Sequence, residues 1–252
     1  MRVSERVEAL TAGVTTWPAA PTPGSPFAAD KELARGASTF GMAQGSLVNS
    51  LYHMKVAHQL IVSNVPEAQG THLLLLRPAL LAAARASWLM APDKAAERVQ
   101  RAALLLAEDR RYGASAMRKV LDRGAPEAFT AAAELFDRQR EEATALALDA
   151  GPASLKRPPS EEMLIHDAAL TVDLYYGTDD ATVDAQLLWN TASGLAHGER
   201  WFATLTSGKS RLVAETITER SFDILCSLVN VASLRMLCLC SRPSVLNRTS
   251  GE

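Results

Sequence analysis

The residues best suited to chemistry in this sequence lie on one stretch, residues 186–204 (QLLWNTASGLAHGERWFAT), which is predicted to form a single helix. An imidazole that titrates near neutral pH can act as a general acid or base. An amide or hydroxyl beside it can orient the ring or bind a phosphate. We therefore predict a site with His197 as the catalytic residue and with Asn190, Ser193 and Trp201 among its substrate-binding residues. At about 100° per residue, six polar or amphipathic side chains of the stretch share a strip roughly 80° wide: Gln186, Asn190, Ser193, His197, Trp201 and Thr204.

Two interpretations of this polar strip remain open at the level of sequence. The strip carries none of the Lys, Glu or Arg residues that an ordinary solvent-facing surface would have. It could line a pocket, and Gly194 and Gly198 beside it would then let a ligand come close. It could instead be hydrogen-bonded by neighbouring helices and fix their register. The sequence alone favours this second, structural interpretation.

Arg77 is a further predicted binding residue because it lies in an otherwise apolar helix predicted over residues 71–90. A guanidinium in such a helix needs a carboxylate, a set of backbone carbonyls or a bound anion as its partner. A bound anion would make Arg77 the fixed positive charge that a phosphodiester transition state requires. Arg77 and His197 can act together only if their two helices pack against each other.

Several familiar chemistries are excluded by the absence of their motifs. The chain contains no G-x-x-x-x-G-K-[ST] or G-x-G-x-x-G loop and no H-E-x-x-H or G-x-S-x-G motif. None of the Cys and His residues has the spacing of a structural zinc site. We therefore expect no metal and no cofactor.

Composition favours a helical protein of the cytoplasm. Hydrophobic residues make up 48% of the 252 residues and aromatic residues only 6%, with a net charge of −2; alanine and leucine favour helices. An odd number of cysteines argues for a reducing compartment. The N-terminus has no signal-peptide pattern, and the apolar residues 224–240 include Arg235, so we predict a buried core helix and no membrane association.

The predicted architecture is all-α, a single bundle of about seven helices over residues 30–241. An N-terminal arm precedes it over residues 1–29; residues 1–10 are compatible with a short helix, and residues 11–29, rich in proline, threonine, alanine and glycine, are predicted to be extended. A polar tail follows over 242–252. The third bundle helix is the most basic part of the chain, with eight basic and five acidic residues between 93 and 123. It is interpreted either as a solvated face or as a nucleic-acid contact.

Three segments together resemble a family of uncharacterised bacterial all-helical proteins. They are LRPALLAAARASWLMAPDKAAERVQR, KRPPSEEMLI and SGLAHGERWF, the last resembling a Ser-Gly-x-x-His-Gly segment of that family. The resemblance covers residues 40–241 and implies no settled function.

More distantly the chain resembles the HEPN superfamily of helical bundles. That resemblance implies a HEPN-like core and metal-independent ribonuclease or nucleotide-binding activity, in toxin–antitoxin or phage-defence systems. HEPN ribonucleases carry an Arg followed by four to six residues and a His on one helix. Here Asn190, separated from His197 by six residues, occupies the position where that Arg is expected. His197 is therefore the one residue of the HEPN motif that this sequence matches.

Three functional hypotheses follow. The first is a HEPN-like module of a bacterial stress or phage-defence system that binds RNA or nucleotide, with its status as an enzyme open. The second is a non-enzymatic helical protein that forms a homodimer or holds a partner. The third, a small-molecule sensor or enzyme, has no positive motif.

Overall fold

A computed structural model describes residues 3–34, 38–63, 70–123, 126–152, 154–198 and 211–241. The regular structure of these ranges is entirely helical, which confirms the predicted all-α class. They hold nine α-helices and the 3₁₀ turn Val14–Thr16. The α-helices are α1 Val3–Gly13, α2 Pro26–Leu33, α3 Thr39–Val62, α4 Thr71–Met90, α5 Ala95–Leu121, α6 Ala128–Ala150, α7 Glu161–Tyr176, α8 Asp180–Ala196 and α9 Arg211–Ser241.

The N-terminal segment differs from the extended arm predicted over residues 1–29, because α1 continues to Gly13, beyond the short helix compatible with residues 1–10, and the first half of α2 begins at Pro26. Ser25 caps α2 by accepting a hydrogen bond from the backbone N–H of Ala28 at 3.3 Å. Pro26 follows at the first helical position, where its fixed φ and missing N–H are favourable. Phe27 is buried, with its ring centroid 5.6 Å from that of Phe40. One of the prolines taken as a sign of extended chain therefore begins a helix.

The chain forms two compact units, each assembled from segments that are distant in sequence. The first unit comprises Met1–Ala19, Ala43–Met90 and Ser160–Cys238. The second comprises Ala20–Met42, Ala91–Pro159 and Leu239–Glu252.

In the first unit, α4, α7 and α8 pack against one another in all three pairs. Their contact faces combine leucines with many alanines, and the alanines let the helix axes approach closely. Full burial of a leucine side chain contributes about 1.5–3 kcal/mol. The buried apolar residues include Leu73, Leu76, Leu80 and Ala83 of α4, Leu164, Ile165, Ala168 and Val172 of α7, and Ala185, Leu188 and Ala192 of α8.

In the second unit, α5 packs against α6 and α2 packs against α5. One cluster of the apolar core between them is built from Ala34, Val99, Ala103, Leu104, Leu146 and Ala147. Alanines in three of these six positions imply closely packed helices with little apolar volume per residue.

A buried ion pair adds to that core. The guanidinium of Arg98 donates from Nε to Oδ2 of Asp30 at 2.9 Å and from Nη2 to Oδ1 at 2.7 Å. Nη1 donates to the carbonyls of Pro92 and Asp93 at 2.9 and 2.6 Å, and Nη2 also donates to the carbonyl of Pro26 at 3.2 Å. Only 1% of either ion-paired side chain is exposed. Arg98 thus joins α2 to the start of α5.

Two helices of the described chain are long and apolar enough to cross a membrane, Thr71–Met90 and Leu212–Ser241. In each, more than half of the most apolar window is buried within the protein, at 61% and 56%. Core helices of water-soluble proteins commonly have this length and composition, so these two features do not show whether the protein contacts a membrane. The expected absence of a membrane partner stays a prediction.

We predict that Asp30→Ala lowers the free energy of unfolding by about 3–5 kcal/mol, because Arg98 would keep a buried charge without a counter-charge. Urea unfolding followed by circular dichroism measures the loss. The neighbouring exposed carboxylate offers a matched control, since Glu32→Ala should change stability by less than about 0.5 kcal/mol. The double variant Asp30→Leu/Arg98→Met should recover most of the lost stability. A double variant no more stable than Asp30→Ala would contradict this account.

Candidate functional site

The start of α8 is fixed by a carboxylate from the preceding helix. Gly177 ends α7 in the left-handed conformation, at φ 69°, and its N–H donates to the carbonyl of Asp173 at 2.8 Å. The Asp173 carboxylate accepts hydrogen bonds from the N–H groups of Ala181 and Thr182 at 2.9 and 3.1 Å. It also accepts from the hydroxyls of Thr182 and Thr178 at 2.7 and 2.9 Å. The adjacent Asp179 makes no side-chain capping bond.

The pKa of Asp173 reflects this position. Burial raises the pKa, but the hydrogen bonds from Thr182, Ala181 and Thr178 outweigh burial and hold it below its ordinary value of 3.8. Asp173 is therefore ionised at neutral pH, and its negative charge lies at the positive end of the α8 dipole.

The helix predicted to run to residue 204 ends at Ala196 instead. His197 is the C-terminal cap, and Gly198 follows at φ 72°. The N–H groups of His197 and Gly198 donate to the carbonyls of Ser193 and Leu195 at 3.0 and 3.1 Å. A glycine in the left-handed region just past the cap is a common helix stop, and Gly198 supplies it here. Trp201 and Thr204, two members of the predicted strip, lie outside the described residues.

The remaining strip residues point outwards rather than between the helices of their own unit. Gln186, Asn190 and His197 are exposed and Ser193 is half-buried, while the opposite side of α8 is buried. The Gln186 side-chain amide donates to Oδ1 of Asn190 at 3.0 Å. The favoured interpretation of the strip as a buried register-fixing seam is therefore wrong for this unit. His197 reaches solvent because α8 ends there and exposes its cap.

A cleft of about 490 Å³ lies where α4, α7 and α8 meet. It brings together four of the five residues predicted for the site, two of which are Arg77 and His197. Glu162 and Trp189 also line it and were not predicted. A signal existed for Trp189, since it lies four and eight residues before Ser193 and His197 on the same helix. The described lining is Arg77, Glu162, Trp189, Asn190, Ser193, Gly194 and His197.

Arg77 meets both an aromatic ring and a carboxylate in this cleft. Its Cζ lies 4.2 Å from the centroid of the Trp189 ring, within the range of a cation–π contact. Its Nη2 lies 3.9 Å from Oε2 of Glu161, beyond hydrogen-bond distance. Glu161 also lies 3.7 Å from Nη2 of Arg85, so one carboxylate is shared between two arginines.

Two polar atoms of the cleft residues are left unsatisfied. The Nε of Arg77 and the hydroxyl of Ser193 are screened from solvent and have no hydrogen-bond partner among the residues that the structure describes. A buried donor without an acceptor costs about 1–3 kcal/mol. A ligand that accepted hydrogen bonds from these atoms would remove that cost.

The basic third helix of the bundle prediction corresponds to α5, and much of its charge is paired within the second unit. Besides the buried Arg98, Arg111 contacts Glu108 at 2.6 Å and Arg118 pairs with Asp137. These pairs reduce the positive potential that a nucleic-acid contact along α5 would need. Within the described ranges, no group of three His, Cys, Asp or Glu residues is placed to hold a metal ion.

Comparison with known proteins leaves the family open. No protein-family model matches the sequence, and neither the curated proteins nor the solved structures yield a match.

We predict that Asp173→Asn lowers the free energy of unfolding by about 2 kcal/mol at pH 7, because charged acceptors make stronger hydrogen bonds than neutral ones. A folded-state pKa below the ordinary value means that the carboxylate's contribution is present above pH 3.8 and is lost as the pH falls through the folded-state pKa. The difference from wild type should therefore shrink in acid. Thermal unfolding across pH measures it, with the exposed Asp167→Asn as control. A stability difference between wild type and Asp173→Asn that stays constant down to the lowest pH would contradict the capping role of the Asp173 carboxylate.

Proposed function

We propose that this protein is a HEPN-like helical module that binds a phosphate group of RNA or a nucleotide in the cleft formed by α4, α7 and α8. The observation that carries the proposal is the meeting of Arg77, Asn190, Ser193 and His197 in one cleft. These residues come from two helices more than 110 positions apart in sequence. They supply a guanidinium, an amide, a hydroxyl and an imidazole, all able to donate hydrogen bonds to phosphate oxygens.

The unsatisfied donors support an anionic ligand. The Arg77 Nε and the Ser193 hydroxyl lack acceptors among the described residues, and a phosphate is rich in acceptors. The cleft volume of about 490 Å³ lies within the range of about 300–1,000 Å³ that is usual for small-molecule sites. The imidazole of His197 is exposed and can approach a ligand from the open side.

The charge balance favours one phosphate over an extended nucleic acid. Arg77 is the single cationic side chain in the described lining, and Glu162 lines the same cleft. Glu161 further offsets the charges of Arg77 and Arg85. An RNA strand threaded across this surface would bring several phosphates close to these two carboxylates. A nucleotide, or the end of an RNA chain, is the ligand that this balance suits.

We propose that the cleft binds the RNA or nucleotide. Cleavage of the bound RNA would be a further step, carried out only if the protein is an enzyme. In cleavage, the ribose 2′-hydroxyl would attack phosphorus as His197 takes its proton, and Arg77 would stabilise the charge on the phosphate. The P–O5′ bond would break, and the leaving 5′ oxygen would take a proton from solvent. From the HEPN resemblance we further propose a bacterial stress or phage-defence role in the cytoplasm, without a membrane partner.

We expect 5′-AMP and a short single-stranded RNA to shift the backbone amide resonances of α8 in ¹H–¹⁵N NMR titrations. Arg77→Gln should weaken binding by about 10- to 100-fold, the cost of losing a charge-assisted hydrogen bond. The matched control is Arg85→Gln, which removes the other arginine beside Glu161 but leaves the cleft lining unchanged. A fluorescent RNA assay on wild type and His197→Ala separates cleavage from binding.

Equal losses in the Arg77→Gln and Arg85→Gln variants would overturn the assignment to this cleft. No saturable binding of either ligand at about 1 mM would overturn the proposed function itself.

We infer homodimerisation as the second candidate function, supported by the outer face of α7. Met163, Leu170 and Leu174 are 55%, 44% and 77% exposed, with spacings of seven and four residues. Heptad-like spacing of this kind lets two identical helices pair about a two-fold axis. Such a dimer would need no chemistry at His197.

In this case we expect light scattering during gel filtration to give a dimeric mass that Leu174→Asp converts to a monomeric one. A desolvated aspartate in the centre of an apolar interface costs several kcal/mol. Leu148→Asp provides the control, since Leu148 is 65% exposed on α6 of the other unit. A dimer with a micromolar dissociation constant would be almost fully formed at about 100 μM. A wild-type protein that is monomeric at that concentration would contradict the dimer.

A further inference from the structure

The second unit contains a cavity of its own, of about 650 Å³, between the start of α3 and the facing sides of α5 and α6. The proposed phosphate cleft lies in the first unit and shares no lining residue with it. The apolar wall of the second-unit cavity is formed by Met42, Leu106, Ala143 and Leu146. The lining also contains the polar side chains of Arg110, Gln139 and Glu142.

Arg110 is held in place by its surroundings. Its Nη1 contacts Oδ2 of Asp109 at 3.1 Å, and its Cζ lies 5.5 Å from the centroid of the Phe136 ring. Gly113 lets that ring lie close to α5, because a Cβ at this position would be 3.0 Å from two Phe136 ring carbons. The guanidinium is therefore fixed at one terminal nitrogen and across one face.

The Nε of that guanidinium has no partner among the residues that the structure describes, although 30% of the Arg110 side chain is exposed. The Nε itself is screened from solvent. The Nε–Nη2 edge of a guanidinium matches the two oxygens of a carboxylate in bidentate geometry. A solvent-screened N–H without an acceptor costs about 1–3 kcal/mol, which a bound carboxylate would offset.

We propose that this cavity binds a small organic monocarboxylate with an apolar body. The carboxylate accepts from the partly exposed guanidinium of Arg110, and the Gln139 amide lies in the same lining as a further donor. The apolar body packs on the Leu106 and Leu146 side. Glu142 also lines the cavity, and its side chain is exposed to solvent, which screens its charge. This site is independent of the proposed phosphate cleft.

Isothermal titration calorimetry with sodium octanoate tests the proposal, because octanoate combines one carboxylate with an unbranched apolar body. We expect saturable binding with a dissociation constant of about 1 mM or tighter. Replacing the carboxylate by a hydroxyl, in 1-octanol, should weaken binding at least tenfold. Arg110→Gln should weaken octanoate binding to a similar extent, whereas Arg111→Gln should leave it unchanged. Arg111 is exposed, pairs with Glu108 and does not line the cavity.

A second variant keeps the test valid if Arg110→Gln fails to fold. Ala145 is exposed and lines the cavity, so Ala145→Trp should obstruct it without disturbing the core. That variant should also lose octanoate binding at least tenfold while retaining wild-type circular dichroism. No saturable octanoate binding, equal affinity for 1-octanol, or full binding by a folded variant of either kind would overturn the proposal.

Discussion

The candidate cleft depends on the ionised carboxylate of Asp173. It lies on α7 but caps α8, so it sets where α8 begins and how α8 is rotated about its axis relative to α7. Because helical residues advance about 100° each, a start displaced by one residue would turn the strip away from α4. Ser193 and His197 would then no longer lie beside Arg77. A tertiary capping bond thus fixes the geometry of a site more than ten residues further along the helix.

The second unit uses a comparable arrangement at the start of α5. Arg98 is buried with Asp30 and also holds two backbone carbonyls just before the helix. Arg110 lies twelve residues later on the same helix, beside the other cavity. In both units, then, a buried charged group positions the helix start, and polar cavity residues that are not fully buried lie further along that helix. Packing alone would specify these starts less sharply, because the contact faces are rich in small alanines.

Sequence reasoning succeeded where local rules decide the structure. The abundance of alanine and leucine predicted the helical class, and Ser160, a residue type that favours helix starts, caps α7 by accepting from the N–H of Met163 at 3.3 Å. It did not anticipate Asp173, because an acceptor eight residues before its donor belongs to no local capping pattern. It extended α8 too far because Gly198 was considered only for close approach, although glycine also terminates helices. The meeting of Arg77 with His197 required knowledge of helix pairing, which one sequence does not contain.

Competition at Arg77 decides what the cleft can hold. Glu161 approaches it at 3.9 Å without a hydrogen bond, and about half of the Glu161 side chain is exposed. A contact of this kind contributes about 0–1 kcal/mol, because water screens it. A charge-assisted hydrogen bond is worth about 1.5–3 kcal/mol, so a phosphate that reached the Arg77 Nε would outweigh Glu161. Trp189 would stay beneath the guanidinium throughout. The contact with Glu161 therefore does not prevent Arg77 from binding an anion.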